Sequence, residues 1–150
     1  MELLHKELTD EILSAFYDVY NELGYGFLER VYQNSLYLEL RTRGFQVEAQ
    51  KPIKVFYKGY EVGEYYADLV VEDLVILELK AAEFLVKEFE YQLINYLKGT
   101  NMEVGLLLNY GKKPEFIRKV YANNRKKLEN GDKIGTRMTR IRKRSADDNG

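Results

Sequence analysis

The sequence predicts a mixed α/β domain, a central mixed sheet flanked by helices, in the order α-α-β-β-β-α-β-β. Three observations lead there. Up to Gly44 the apolar residues recur at three- and four-residue spacing, the mark of amphipathic helices. Between positions 45 and 80 the pattern changes to strand-like runs separated by turn residues. One more helical stretch then stands between those runs and a fully apolar strand, which reads as a crossover within one sheet. At 150 residues the chain suits a single domain with a real core, and residues 1–128 are assigned to it.

Thr9 reads as the N-cap of the first helix, with Asp10 and Glu11 in its first turn. Ile12, Phe16, Val19 and Leu23 form its apolar stripe, and Gly24 stops it. The second helix is expected from about Phe27 to Arg43, ended by Gly44, burying Leu28, Val31, Tyr32, Leu36 and Leu40. Strands follow at 45–50 and 53–57 around Pro52, with Lys58-Gly59 as the turn. The next strand covers 60–71, with a bulge expected at Gly63, and another covers 75–80. Residues 87–98 read as a helix burying Phe89, Leu93 and Tyr96 or Leu97, with Gly99 as its stop; 103–109 is a central strand. Residues 114–121 fit a helix by spacing, but the segment is short and bounded by Pro114 and Asn123-Asn124. An edge strand is the expectation there.

Composition excludes several classes. With no cysteine and one histidine, His5, near an end expected to be solvated, neither a disulfide framework nor a His/Cys zinc centre can form. A metal would have to be held by oxygen, which means Mg²⁺, Mn²⁺ or Ca²⁺. No phosphate-binding glycine loop or dinucleotide fingerprint is present. The first residues lack the basic-then-apolar pattern of a signal peptide, and no run approaches membrane-spanning length. The expectation is a soluble, cytoplasmic protein without membrane contact. Charge is uneven: residues 125–144 carry nine Lys/Arg against two acids, +7, and the remainder carries −8. The 129–150 end reads as a basic, flexible tail, a weak sign of nucleic-acid contact or simply a solvated terminus.

The chemistry lies in two apolar strands that three charges interrupt. Asp68 sits in one; Glu78 and Lys80, two apart and so on one face, sit in the next. Charges in core-grade strands are costly unless paired, hydrogen-bonded or metal-bound. If paired positions sum to 146, Asp68 lies across from Glu78 on the same face. A sum of 145 would turn it to the other. Two carboxylates about 4 Å apart repel by roughly 4 kcal/mol at an effective dielectric of 20, and a divalent cation converts that into attraction. Such a site suits metal-assisted phosphodiester hydrolysis. The plain alternative is a strand-end ion pair of Lys80 with Glu78 or Asp68. Glu29 shares the apolar stripe of the second helix with Tyr32, either salt-bridged or aimed at a site. Gln92 and Tyr96, four apart on the third helix, can orient a water or a phosphate, or serve as a boundary hydrogen bond and a core tyrosine.

Taken together, Gly26-x-x-Glu29-x-x-Tyr32, Asp68 with Glu78-x-Lys80, and Gln92-x-x-x-Tyr96 resemble the GxxExxY protein family of the PD-(D/E)XK nuclease-like superfamily. The resemblance runs from about Thr9 to Lys126 and includes Leu106-Leu107-Leu108-Asn109-Tyr110-Gly111. It implies a restriction-endonuclease-like core and a metal-dependent nuclease acting on DNA or RNA. It further implies Asp68 and Glu78 as ligands of Mg²⁺ or Mn²⁺, helped by a carbonyl of the second strand, and Lys80 as the residue that activates or positions water. Glu29 would complete the acidic cluster, and Gln92 with Tyr96 would support the site or bind phosphate. Because neighbouring carboxylates favour the ammonium form, Lys80 is expected to act as a cation. The chain departs from the family pattern at Ala67, where proline is common, at Tyr20, where many relatives carry histidine, and at Tyr25, where many carry proline. The alternative function is a non-catalytic nucleic-acid- or partner-binding domain that keeps the fold.

Overall fold

The computed structural model describes residues 3–126. Helices α1 (Lys6–Leu23) and α2 (Glu29–Thr42) are followed by strands β1 (Val47–Tyr57), β2 (Tyr60–Val71) and β3 (Val75–Lys80). Helix α3 (Lys87–Lys98) then leads to β4 (Val104–Tyr110) and β5 (Pro114–Val120). This is the predicted order, and the ambiguous segment is indeed a strand. The five strands lie in sequence order in one sheet. Neighbours are antiparallel except β3 and β4, which run parallel because α3 crosses between them.

Two apolar layers sandwich the sheet. Ile12, Phe16, Tyr32, Leu36 and Leu40 of α1 and α2 pack on Leu69, Val71, Leu77, Leu79, Leu106 and Leu108. Leu93, Tyr96 and Leu97 of α3 pack on Val70, Ile76 and Leu107 from the other side. β3 and β4, central and covered on both sides, are therefore apolar throughout apart from the charges and amide that build the site. Arg43 joins the two N-terminal helices, pairing with Glu11 and Asp18 of α1 and with Glu39 of α2.

Helix α1 begins a turn earlier than predicted. Thr9 is not its cap but a buried residue of the first turn, whose hydroxyl donates to the carbonyls of His5 and Lys6. Inside the helix that hydroxyl bonds back to preceding carbonyls instead of accepting from the first free N–H groups, as a cap would. His5 is half-buried rather than fully solvated. β1 runs unbroken through Pro52, which its place at the sheet edge permits. The β1–β2 register shifts where Val55 opposes Gly63 and Phe56 opposes Glu61, so the bulge falls at Val62, next to the predicted glycine. Lys58 and Gly59, both at positive φ, close that hairpin.

The link from β2 to β3 positions the site. Glu72 and Asp73 turn with φ of 56° and 55°, Leu74 is a third linking residue, and Val71 pairs with Val75, Val70 with Ile76 and Leu69 with Leu77. These positions sum to 146, the register that puts Asp68 opposite Glu78. No helix among the described residues is long and apolar enough to cross a membrane. The predicted tail, 129–150, lies outside the described residues, and of the basic run 125–144 only Arg125 and Lys126 are described.

Candidate active site

Beyond the Leu69–Leu77 pair, two carboxylates take over from the backbone ladder. The Asp68 N–H donates to Glu78 Oε2 at 3.1 Å, and the Leu79 N–H donates to Asp68 Oδ2 at 2.8 Å. Each acid thus spends one oxygen on the opposite strand and keeps the other. This reciprocal exchange holds the two acids close although they repel. Glu78 is 5% exposed and Asp68 half-buried.

Burial, with the Asp68 charge beside it, pushes the Glu78 carboxyl up to about 8. The Asp68 N–H, Lys80 and Glu29 adjust that value, the first two favouring ionisation and the third opposing it. Burial also raises Asp68, opposed by the Leu79 N–H, by the charge of Lys80 and by the side chain of Gln50. Near neutral pH and without a cation the Glu78 carboxyl is therefore largely protonated.

Lys80 forms no ion pair with either acid among the described residues. Its ammonium lies 4.4 Å from the centroid of the Phe89 ring on α3, a cation–π contact, while its field still favours ionisation of both carboxyls. The strand-end ion pair that would have explained these charges structurally is therefore not formed. Tyr96 is 5% exposed and packs against Tyr65, the rings tilted by 31° with centroids 4.2 Å apart. Burial, then the Glu78 charge, raises both phenols, so they stay neutral donors beside the acids. Gln92 is exposed on the preceding turn of α3 and makes no hydrogen bond among the described residues.

Glu29 is the first residue of α2, where the helix dipole favours a carboxylate. It is exposed and does not lie on the apolar stripe where its spacing suggested it belonged, because that stripe starts one turn later, at Tyr32. Its charge reaches Glu78, but Glu29 does not close a three-acid cluster: no group of three or more possible metal ligands gathers among the described residues. The glycine and tyrosine around it have a mechanical part. Gly26 adopts φ 116°, a conformation other residues rarely reach. The buried Tyr32 hydroxyl donates to the Gly24 carbonyl at 2.6 Å and accepts from the Phe27 N–H at 3.2 Å. The Tyr32 ring lies flat on Tyr110, with centroids 4.2 Å apart. Tyr32 so ties down the 24–28 loop, which in turn sets where Glu29 begins the helix.

Three groups near the site were not singled out from sequence. Gln50 has φ 55° inside β1, and its amide donates to Gln33 Oε1 of α2 at 3.1 Å. Asn109, fully buried and paired in register with Lys80, accepts from the Ala82 N–H and donates to the Ala82 carbonyl, both at 2.9 Å. This two-point grip fixes the chain just after Lys80. Asn109 had one legible signal, an amide in an otherwise apolar central strand; Gln33 and Gln50 had none.

The donor set fits Mg²⁺ or Mn²⁺. Both acids are hard oxygen ligands, one oxygen of each is uncommitted, and a cation would relieve their repulsion. Mg²⁺ is commonly held by only one or two carboxylates, keeping several waters.

No curated protein matches this sequence. Among solved structures, an alkaline exonuclease from Laribacter hongkongensis is similar at 11% identity, covering 95% of this chain and 82% of the other, with a TM-score of 0.43. The PD-(D/E)XK nuclease superfamily matches over residues 6–120. That span runs from the first residue of α1 to the last of β5, with Asp68 and Glu78-x-Lys80 inside it, and the chain accordingly belongs to the PD-(D/E)XK nuclease superfamily.

Proposed function

We propose that this protein is a metal-dependent nuclease that hydrolyses phosphodiester bonds in DNA or RNA with Mg²⁺ or Mn²⁺. The observation that carries the reading is the pair of Asp68, half-buried, and Glu78, buried, each bonded to the other's strand, with an ammonium two residues on that forms no ion pair among the described residues. A purely structural pair of opposed carboxylates would destabilise the fold without return. The finer kinship with the GxxExxY family rests on Gly26, Glu29 and Tyr32 together with Gln92 and Tyr96.

Asp68 and Glu78 would hold the cation through their uncommitted oxygens. When bound, it would polarise the phosphate and make a water acidic enough to attack at neutral pH. Lys80, resting on Phe89, supplies positive charge for the developing phosphorane and positions the nucleophile. Tyr96, kept neutral, is a hydrogen-bond donor to a phosphate oxygen or to Glu78. Gln92, exposed one turn earlier, offers an amide to the backbone of the substrate. Glu29 adds negative charge near Glu78 and would orient a water rather than ligate an ion directly.

The test is cleavage of single- and double-stranded DNA and RNA with Mg²⁺, Mn²⁺ or chelator. Wild type is expected to cleave only with metal, Asp68→Asn to lose both metal binding and cleavage, and Lys80→Ala to lose most turnover while keeping metal. Equal cleavage by wild type and Asp68→Asn would expose a contaminant. Absence of cleavage under every condition would move the reading to a non-catalytic binding domain.

A further inference from the structure

We propose that Gln50 is a positioning residue of this site: anchored by Gln33 of α2, its amide holds the Asp68 carboxyl in the orientation that receives a divalent cation. The inference rests on the metal-dependent reading above and assigns a residue to it that no sequence motif marked.

The first observation is backbone conformation. Gln50 has φ 55° in the interior of the 11-residue strand β1. The other non-glycine residues with positive φ among those described are His5 at a helix start, and Lys58, Glu72 and Asp73 in hairpin turns. Turns and caps call for that conformation, whereas a strand interior does not. A long side chain held there persists when its surroundings over-determine it.

The second observation is the place of the interruption. β1 and β2 pair at Ala49–Leu69 and again at Lys51–Ala67, but the position between, Gln50 opposite Asp68, drops out of the ladder. Side-chain alternation slips at the same point. Leu69 packs with α1 and α2 while Ala67, two residues away, packs with α3. Regular strands would put both on one side. The irregularity thus sits on the acid itself and re-aims its side chain.

The third observation is the bonding. Gln50 Nε2 donates to Gln33 Oε1 at 3.1 Å, and Gln33 is 9% exposed, one turn after Glu29 on the same helix. Gln50 stands opposite Asp68 between the Ala49–Leu69 and Lys51–Ala67 pairs, and its side chain favours ionisation of the Asp68 carboxyl. The Gln33–Gln50 bond thus anchors to α2 the β1 residue that stands opposite Asp68, while the Leu79 N–H grips the same carboxylate from β3. Groups that bond to ligands in this way orient them and typically change metal affinity 10- to 100-fold when removed.

The experiment uses the full chain stripped of metal, with Mn²⁺ binding read by the EPR signal of the free ion and folding read by Tm. Asparagine tolerates the left-handed conformation, yet its arm is one methylene shorter and cannot span Gln33 and Asp68. Gln50→Asn is expected to keep the wild-type Tm and bind Mn²⁺ at least tenfold more weakly, with cleavage recovering at saturating Mn²⁺. Gln50→Gly, which adopts the conformation without strain, is expected to show the same loss of affinity and serves if Gln50→Asn folds poorly. Wild-type Mn²⁺ affinity in a folded Gln50→Asn or Gln50→Gly protein overturns this inference and leaves the metal reading intact. Failure of the wild type itself to bind Mn²⁺ overturns the metal reading and the inference with it.

Discussion

Replacing Glu78 with glutamine should stabilise the metal-free protein, and should do so only above about pH 5. The buried carboxyl is raised from 4.5 to about 8, by burial first and the neighbouring Asp68 second. Below 4.5 it is protonated in both folded and unfolded chains and pH has no effect through it. Between 4.5 and 8 the unfolded chain has released its proton and the folded chain keeps it, so the folded state binds more protons and loses stability as pH rises. Above about 8 the loss is complete. At 1.36 kcal/mol per pH unit the span corresponds to about 5 kcal/mol, a large part of the stability of an ordinary domain. The substituted glutamine preserves shape and an oxygen able to accept from the Asp68 N–H, but cannot ionise. Urea unfolding in chelator at pH 5, 7 and 9 should give similar free energies for both proteins at pH 5 and a gap of a few kcal/mol, up to about 5, at pH 9. Mg²⁺ should close that gap from the wild-type side, since a ligand of the folded state stabilises it by mass action and the variant lacks one of the two carboxylates that hold the ion. Parallel stability curves for the two proteins between pH 5 and 9, or a wild type that gains stability on going to pH 9, would refute the assignment of a buried, destabilising acid pair.

Three other outcomes follow from the geometry and the sequence. Asn109→Ala should cost on the order of 3 kcal/mol in urea unfolding, because the Ala82 N–H and carbonyl are both left without their partner. The same variant should lower kcat more than it raises KM, since the chain following Lys80 is released. Tyr32→Phe removes the buried hydroxyl that bonds Gly24 and Phe27 and should cost about 1–3 kcal/mol, with faster amide hydrogen exchange at Phe27 as the local readout. Deleting residues 127–150, which contain most of the basic run, should flatten the dependence of log K on log salt for duplex DNA by about 0.9 for each phosphate no longer neutralised. An unchanged slope would make those charges a solvated end.

Element order and the presence of the acid pair were legible in the residues alone. Helix and strand periodicities are local properties, readable from neighbours three, four or two positions apart, which is why α3 and β3 fall where their patterns say. Asp68, Glu78 and Lys80 stood out because charges within apolar strands violate the ordinary cost of burial. Packing in three dimensions settled the rest. The 146 register depended on Leu74 joining the link, a choice between two turns that the residues alone allow equally. Lys80 leaning on Phe89 rather than pairing with an acid depended on where α3 docks. Thr9 became part of α1 because its hydroxyl found carbonyls inside the helix. Gln33, Gln50 and the grip of Asn109 on Ala82 bring together residues 17 and 27 positions apart, and no periodicity carries information over such separations. Which charges enter the core is written in the local pattern, whereas what holds and aims them is set by the elements that pack around them.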